Sequence, residues 1–396
     1  MQHLFFELLQ VAIGRGDSLS RVPSADEWSA LYGLSVKQAV AGVCFCGVQR
    51  LPKEQVVHLP KQLMMQWFAL AEGIRQRNEL MNRRCVEIQG ILTRVGFRNF
   101  IMKGQGVAEI YNLNLDLNLN KDSNLGLYRQ SGDIDVYVEG GYKKVMEYVN
   151  RTFPTKEVNE LEIHYHCFDD AEVEIHFKPF SLRNPIMNRR LQRFFDEECE
   201  ACFNNRIRMS TGGEITVPTL RFNLVHQMVH IFHHLFTEGI GLRQLMDYYF
   251  VLMAIHGTHG EHGFCDCDGD RDSEHGLYGL NGDAEAIANR WLRELGLLRF
   301  AGAVMYVERE VFGLQKEYML CEPDEKGGRM LLKEIMQRGN FGMMSDDKID
   351  LGNRWTSFWY VNSKTIRFAR FDPWAWFWTP LTRIYYFGWR KVNGFE

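Results

Sequence analysis

Gly132-Asp133-Ile134-Asp135-Val136-Tyr137-Val138 reads as a short strand. Successive strand side chains point to opposite faces, so Asp133 and Asp135 share one face while Ile134, Val136 and Val138 turn to the core. Two carboxylates so placed form one side of a divalent-cation site, suited to hard Mg²⁺, with Mn²⁺ as the alternative, because such ions take oxygen ligands and keep positions for water and phosphates. Ser131-Gly132 turns the chain in, Gly140-Gly141 ends the strand, and the spacing predicts a helix from Tyr142 to about Thr152. Two acids on a half-exposed strand are also what an ordinary solvated face looks like, so the reading depends on what lies around it.

Downstream, Glu160 to Phe168 and Glu172 to Phe177 flank Asp169-Asp170-Ala171 and predict a β-hairpin. In its second arm Glu172, Glu174 and His176 share a face. If that arm lies beside the Asp133 strand, Glu174 completes a three-carboxylate cluster. Without a cation, three like charges raise one another's pKa. Upstream, Phe97 to Met102 reads as a buried strand entering Lys103-Gly104 and a helix around Val107 to Tyr111. Residues 112–128 alternate Asn or Asp with Leu and read as a turn-rich loop or insertion.

This α/β core, residues 97–184, sits between helical regions. Residues 1–96 carry apolar positions at three- to four-residue spacing, clearest from Lys61 through Val95. Residues 185–256 return to helices and are expected to close the cleft; 257–283 form a Gly-rich acidic loop; 284–396 are helical and rich in aromatics. The expected fold is α/β (α+β), a small mixed sheet embedded between N- and C-terminal helical regions.

The ordered set Phe100-Ile101-Met102-Lys103-Gly104, a helix ending at Tyr111, Arg129 ahead of Ser131-Gly132-Asp133-Ile134-Asp135, and Val173-Glu174-Ile175-His176 resembles the uncharacterised bacterial nucleotidyltransferase branch of the DNA polymerase β-like superfamily. The likeness extends from about residue 60 to 255, through the His-rich stretch from His226 and on to Arg243 and Asp247. It implies transfer of a nucleoside monophosphate from an NTP, ATP among them, to a hydroxyl acceptor. Asp133 and Asp135 would hold Mg²⁺ against the triphosphate and Glu174 would complete the cluster and orient or deprotonate the acceptor. Lys103, Gly104, Arg129 and His176 would be nucleotide-binding. The alternative is a catalytically inactive protein of the same fold that binds a nucleotide or a protein partner; a toxin-like enzyme acting on tRNA or protein changes only the acceptor.

Other signals read more plainly. His226, His230, His233 and His234 lack an acid after the first His and are expected to pack or line the cleft. The acidic loop lacks the glycine of a calcium loop. Trp374, Trp376 and Trp378 alternate between Pro373 and Pro380 as on an extended arm, expected to dock on the chain's own core, with a partner or membrane surface as the other reading.

In 396 residues, 46 Lys plus Arg against 50 Asp plus Glu give a net charge of -4, which speaks against a nucleic-acid coat or polybasic membrane binder. Nine cysteines without framework spacing predict free thiols in a reducing compartment. Glu7 interrupts the first apolar run and no cation precedes it, so no secretory signal is expected, and no run reaches a membrane span. The expected setting is cytoplasmic.

Overall fold

The computed structural model describes residues 1–113, 124–257, 284–340 and 363–393; the acidic loop after Gly257 lies outside them. Four helices open the chain: α1 (Gln2–Ala12), α2 (Ala25–Lys37), α3 (Ala41–Arg50) and α4 (Lys61–Arg94). Ser24 and Glu27 form a reciprocal capping box that starts α2. On α4, Trp67, Ala71, Ile74, Asn78, Met81, Cys85, Ile88 and Leu92 are buried, the one-face stripe of a helix laid along a core. Gly96, at φ +82, then releases the chain into the sheet.

The sheet uses β1 (Asn99–Ile101), β2 (Ile134–Val138), β3 (Glu162–His164) and β4 (Val173–His176), with the short α5 (Gln105–Ala108) after β1 and α6 (Gly141–Thr152) after β2. The strand order is β1-β2-β4-β3. The first pair is antiparallel, β2 and β4 run parallel, and β3 returns antiparallel to β4 as the expected hairpin. Ile134, Val136, Val138, Val173 and Ile175 are all buried, so the apolar alternation fixes which face carries the acids.

Beyond the sheet, Asn184 caps α7 (Pro185–Asn204) with proline in the first turn. A small hairpin that the sequence reading did not foresee, β5 (Arg206–Arg208) and β6 (Glu214–Thr216), follows. The helices α8 (Leu220–Phe236), α9 (Leu242–Gly257), α10 (Ala284–Glu294), α11 (Leu298–Phe312) and α12 (Glu325–Arg338) come next, with a last helix from Ala375 to Val392. The architecture is the expected mixed α and β one. Among the described residues no helix is long and apolar enough to cross a membrane.

Two local expectations change. Trp374 to Trp378 begin the last helix instead of an extended arm; the loss of one donor at Pro380 is tolerated in a helix of 18 residues. Of the presumed insertion, 114–123 lie outside the described residues, but Leu125–Tyr128 form a 3-10 turn with Leu125, Gly126 and Leu127 buried. Its base is closed by the Asn112 amide donating to Asn124 Oδ1 at 2.8 Å and by Gly126 N–H donating to Asn112 Oδ1 at 3.0 Å. Gly126 is required there, since a Cβ would strike the Ala108 carbonyl oxygen.

Candidate active site

Parallel pairing sets Asp135 opposite Glu174 and Tyr137 opposite His176, and the β3 register sets Glu162 opposite His176 and His164 opposite Glu174. Three neighbouring strands thus bring Asp135, Glu174, His176, Glu162 and His164 to one face. Ligand atoms of Asp135, Glu174 and His176 lie within 4.8 Å of one another, as do those of Glu162, His164 and Glu174. Asp133 stands just before β2, exposed at the mouth.

The charges are organised around Asp135 Oδ1. Lys103 Nζ lies 2.7 Å from it and His176 Nε2 lies 3.0 Å from it. The same His176 nitrogen is 3.0 Å from Glu162 and 3.7 Å from Glu174. Burial alone would raise the Asp135 carboxyl, but Lys103 and then His176 pull it well below the usual carboxylate range. Burial likewise opposes protonation of His176, and its hydrogen bonds to Asp135 and Glu174 outweigh that, lifting it to about 9. Asp133 behaves oppositely: desolvation, then Glu174, a hydrogen bond with Glu172, and Asp135 push it up to about 6. The expectation that all the acids raise one another therefore holds for Asp133 and fails for Asp135, because a lysine and an imidazolium already compensate that carboxylate.

Lys103-Gly104 follows β1, whose alignment is continued by Met102 N–H donating to the Asp135 carbonyl at 2.9 Å. Gly104 adopts φ +57, a conformation that disfavours a side chain, and turns the chain so that Lys103 reaches the carboxylates. Its ammonium also lies 3.5 Å from His230 Nε2. Arg129 sits on the opposite rim, 5% exposed, with Nε and Nη2 donating to the two oxygens of Asp247 at 2.6 and 2.7 Å. Tyr111 Oη–H donates to Asp247 Oδ1 at 2.6 Å. The guanidinium fork of Arg129 is thus held by a carboxylate on α9.

Lys103, Arg129, Asp133, Asp135, Glu162, Glu174, His176 and Asp247 line one cleft of about 810 Å³, within the range of small-molecule sites. Its other wall is α8 and α9, through Gln227, His230, His233, His234, Arg243 and Gln244. Arg243, named in the sequence only as part of the family likeness, and Glu162, not singled out there, are cleft residues to which the sequence reading gave no site role. Arg243 donates from Nη1 to the Gln130 carbonyl at 3.2 Å, and burial beside Arg129 lowers it to about 10. It lies one helical turn from Asp247, and Glu162 lies two positions before His164; both spacings were visible but carried no partner. His226 is buried below the cleft, 5.2 Å ring to ring from Phe222.

With the charges drawn as they stand, Asp133, Glu162, Glu172 and Glu174 exceed what Lys103 and His176 neutralise. The donor set is rich in carboxylate oxygen on the open side, where Asp133 resists ionisation, and this suits a hard divalent cation. Lys103 holds the inner oxygen of Asp135 as a built-in cation would.

A family model described as uncharacterised nucleotidyltransferase matches residues 24–266, more than half of the chain. No curated protein and no solved structure matches.

Proposed function

Because this chain belongs to the uncharacterised nucleotidyltransferase family, we propose that its cleft transfers a nucleoside monophosphate from an NTP to a hydroxyl acceptor and releases pyrophosphate. The observation that carries the reading is the register of β2 on β4, which sets Asp135 against Glu174 with Asp133 at the mouth. Asp133, Asp135 and Glu174 would hold Mg²⁺ or Mn²⁺, which supplies neutralisation of the triphosphate charge.

The chain's own groups do the rest. The acceptor oxygen bonds to the α-phosphorus, the bond from that phosphorus to the pyrophosphate oxygen breaks, and the acceptor proton passes to a carboxylate. Glu174 would orient the acceptor and take its proton, while Asp133, raised to about 6 in the metal-free protein, would ionise fully against the cation. Lys103, paired with Asp135 at 2.7 Å, would be a cation for phosphate oxygens if a bound ion took its place on that carboxylate. Arg243 adds charge at the Gln130-Ser131-Gly132 rim. Arg129 contributes by fixing that rim to α9, whereas phosphate binding through its fork would require it to leave Asp247. His176 keeps Asp135, Glu162 and Glu174 together as a protonated bridge.

The test is incubation of the protein with Mg²⁺, each labelled NTP and a cell extract, reading labelled product and pyrophosphate. Pyrophosphate release abolished by Asp135→Asn supports transfer. Nucleotide binding without pyrophosphate release supports instead the inactive, binding-only reading, which the Lys103–Asp135 pair favours because it neutralises a ligand carboxylate from within the chain.

A further inference from the structure

The last helix, Ala375–Val392, is attached by one face. Tyr386 Oη lies 3.5 Å from Ser181 Oγ, Thr382 Oγ1–H donates to the Arg183 carbonyl at 3.3 Å, and Trp389 meets Tyr142 edge-on at 5.4 Å. These positions, with buried Ala375 and Thr379, form the inner stripe. The outer stripe is apolar along four turns: Trp374 is 61% exposed, Trp376 56%, Leu381 44%, Ile384 68%, Tyr385 66% and Phe387 53%. Water gains nothing from so much aromatic surface, and a patch of this kind marks a docking face.

We propose that this face docks on an anionic lipid surface, lying flat in the headgroup region. Charge decides the occupant. From Ala375 to Val392 there is no Asp or Glu, while Arg383 and Arg390 fall along the border of the apolar stripe and Lys391 continues it at its C-terminal end. Two carboxylates beside it are already hydrogen-bonded: Glu160 with Tyr386, and Asp372, which accepts from Trp374 N–H at 3.0 Å. Trp, Tyr and Phe interleaved with cations is the chemistry of helices that lie in a bilayer interface, where amphipathic rings sit at headgroup depth and Arg or Lys meets lipid phosphate. A second protein copy presenting the same helix would oppose cation to cation. A second observation agrees: an apolar cavity of about 180 Å³, lined by Met187, Phe236, Leu297, Phe371 and Trp374, opens at the start of the helix. It offers space for part of an acyl chain beside the aromatic stripe. Glu160 and His233 border both regions, but none of the groups assigned to nucleotidyl transfer carries the inference, which stands whether or not that transfer does.

The experiment is flotation of the full chain with phosphatidylglycerol vesicles and with phosphatidylcholine vesicles, alongside the variant Ile384→Asp, whose site is exposed and whose melting temperature should match the parent. The expected result is flotation with the anionic vesicles, on the order of tenfold weaker with the neutral ones, weakened by salt, and reduced on the order of tenfold or more by Ile384→Asp. Three results would overturn the proposal: no flotation with anionic vesicles, flotation unchanged by Ile384→Asp, or sedimentation showing a dimer that Ile384→Asp dissolves, which would assign the face to a second copy.

Discussion

Lys103 Nζ and Asp135 Oδ1, on adjacent strands' ends, lie 2.7 Å apart with side chains only 24% and 10% exposed. The pair puts a cation inside a cleft whose acids otherwise repel. Removing the lysine should therefore harm the metal-free protein more than the liganded one. Lys103→Met is expected to cost about 2 kcal/mol in denaturant unfolding, below the roughly 3–5 kcal/mol of a fully buried pair because the cleft is open to solvent. Mg²⁺ with ATP should recover more stability in the variant than in the parent. An equal or smaller ligand-induced shift in the variant would show that Lys103 and the cation do not share a carboxylate.

Asp133 and Asp135 should respond in opposite senses to the same change. Asp133 is raised to about 6, above its unfolded value, so its ionised form weakens the fold, and the cost grows as pH rises from about 4 to 6. Asp133→Asn should stabilise the metal-free protein near neutral pH by about 1 kcal/mol, discounted for the exposure of the residue. Asp135→Asn strips Lys103 and His176 of their common partner and should lower the melting temperature. Both should remove the stabilisation by Mg²⁺ and nucleotide. Identical stability effects of the two variants would contradict the charge arrangement described above.

How far the sequence was legible follows the range of the interactions. The alternation at Ile134, Val136 and Val138 and at Val173 and Ile175 is local, and it placed both strands and the outward acids. Local spacing could not show that Arg129 would be claimed by Asp247, 118 positions away, or that Lys103 would point at Asp135. Partners far apart in the chain leave no periodicity. The alternating Trp374, Trp376 and Trp378 misled for a related reason. A two-residue period signals a strand only where one face is buried, and here the burial falls on Ala375 and Thr379, at helical spacing.

Asn78 on α4 shows how such distant partners are fixed. Its amide donates to the Leu127 and Arg129 carbonyls, at 2.7 Å each, and its oxygen accepts from Gln105 Nε2 at 3.1 Å. It is fully buried and ties the rim that carries Arg129 to the helix behind Lys103-Gly104. Asn78→Ala should cost about 1–3 kcal/mol by orphaning those carbonyls. Asn78→Leu should not restore it, since shape alone satisfies neither carbonyl. Unfolding curves of the two variants check this, and full stability of Asn78→Leu would show that the network is dispensable.

The α8 histidines make the fold acid-sensitive. Burial, then Lys103, lowers His226 to about 3; burial, then His234 and Lys103, holds His230 well below its ordinary value; and burial, then Arg183, does the same for His233. All three are neutral in the folded protein, whereas the unfolded chain protonates them near 6.5. Between that value and the depressed folded values the unfolded state binds more protons, so stability is whole above about pH 6.5 and is lost as pH falls toward 3. At pH 5 each ring contributes a loss of up to about 2 kcal/mol, an upper bound because the cleft can open to water. Asp133 acts in the opposite direction between about pH 4 and 6, and so do buried Glu308, Glu160, Glu198 and Asp372, all raised by burial, so the readout is the difference between a histidine variant and its parent, both carrying Asp133→Asn. There the histidines pull the melting temperature down from about pH 7 to about pH 4.5, against the rise that the buried carboxyls give. Adding His226→Gln, whose amide can still donate to the Pro179 carbonyl that lies 3.3 Å from His226 Nε2, should raise the melting temperature at about pH 4.5 relative to that at about pH 7, compared with the parent. A pH slope unchanged by His226→Gln would mean that this ring titrates as if exposed and that the packing around it does not exclude water.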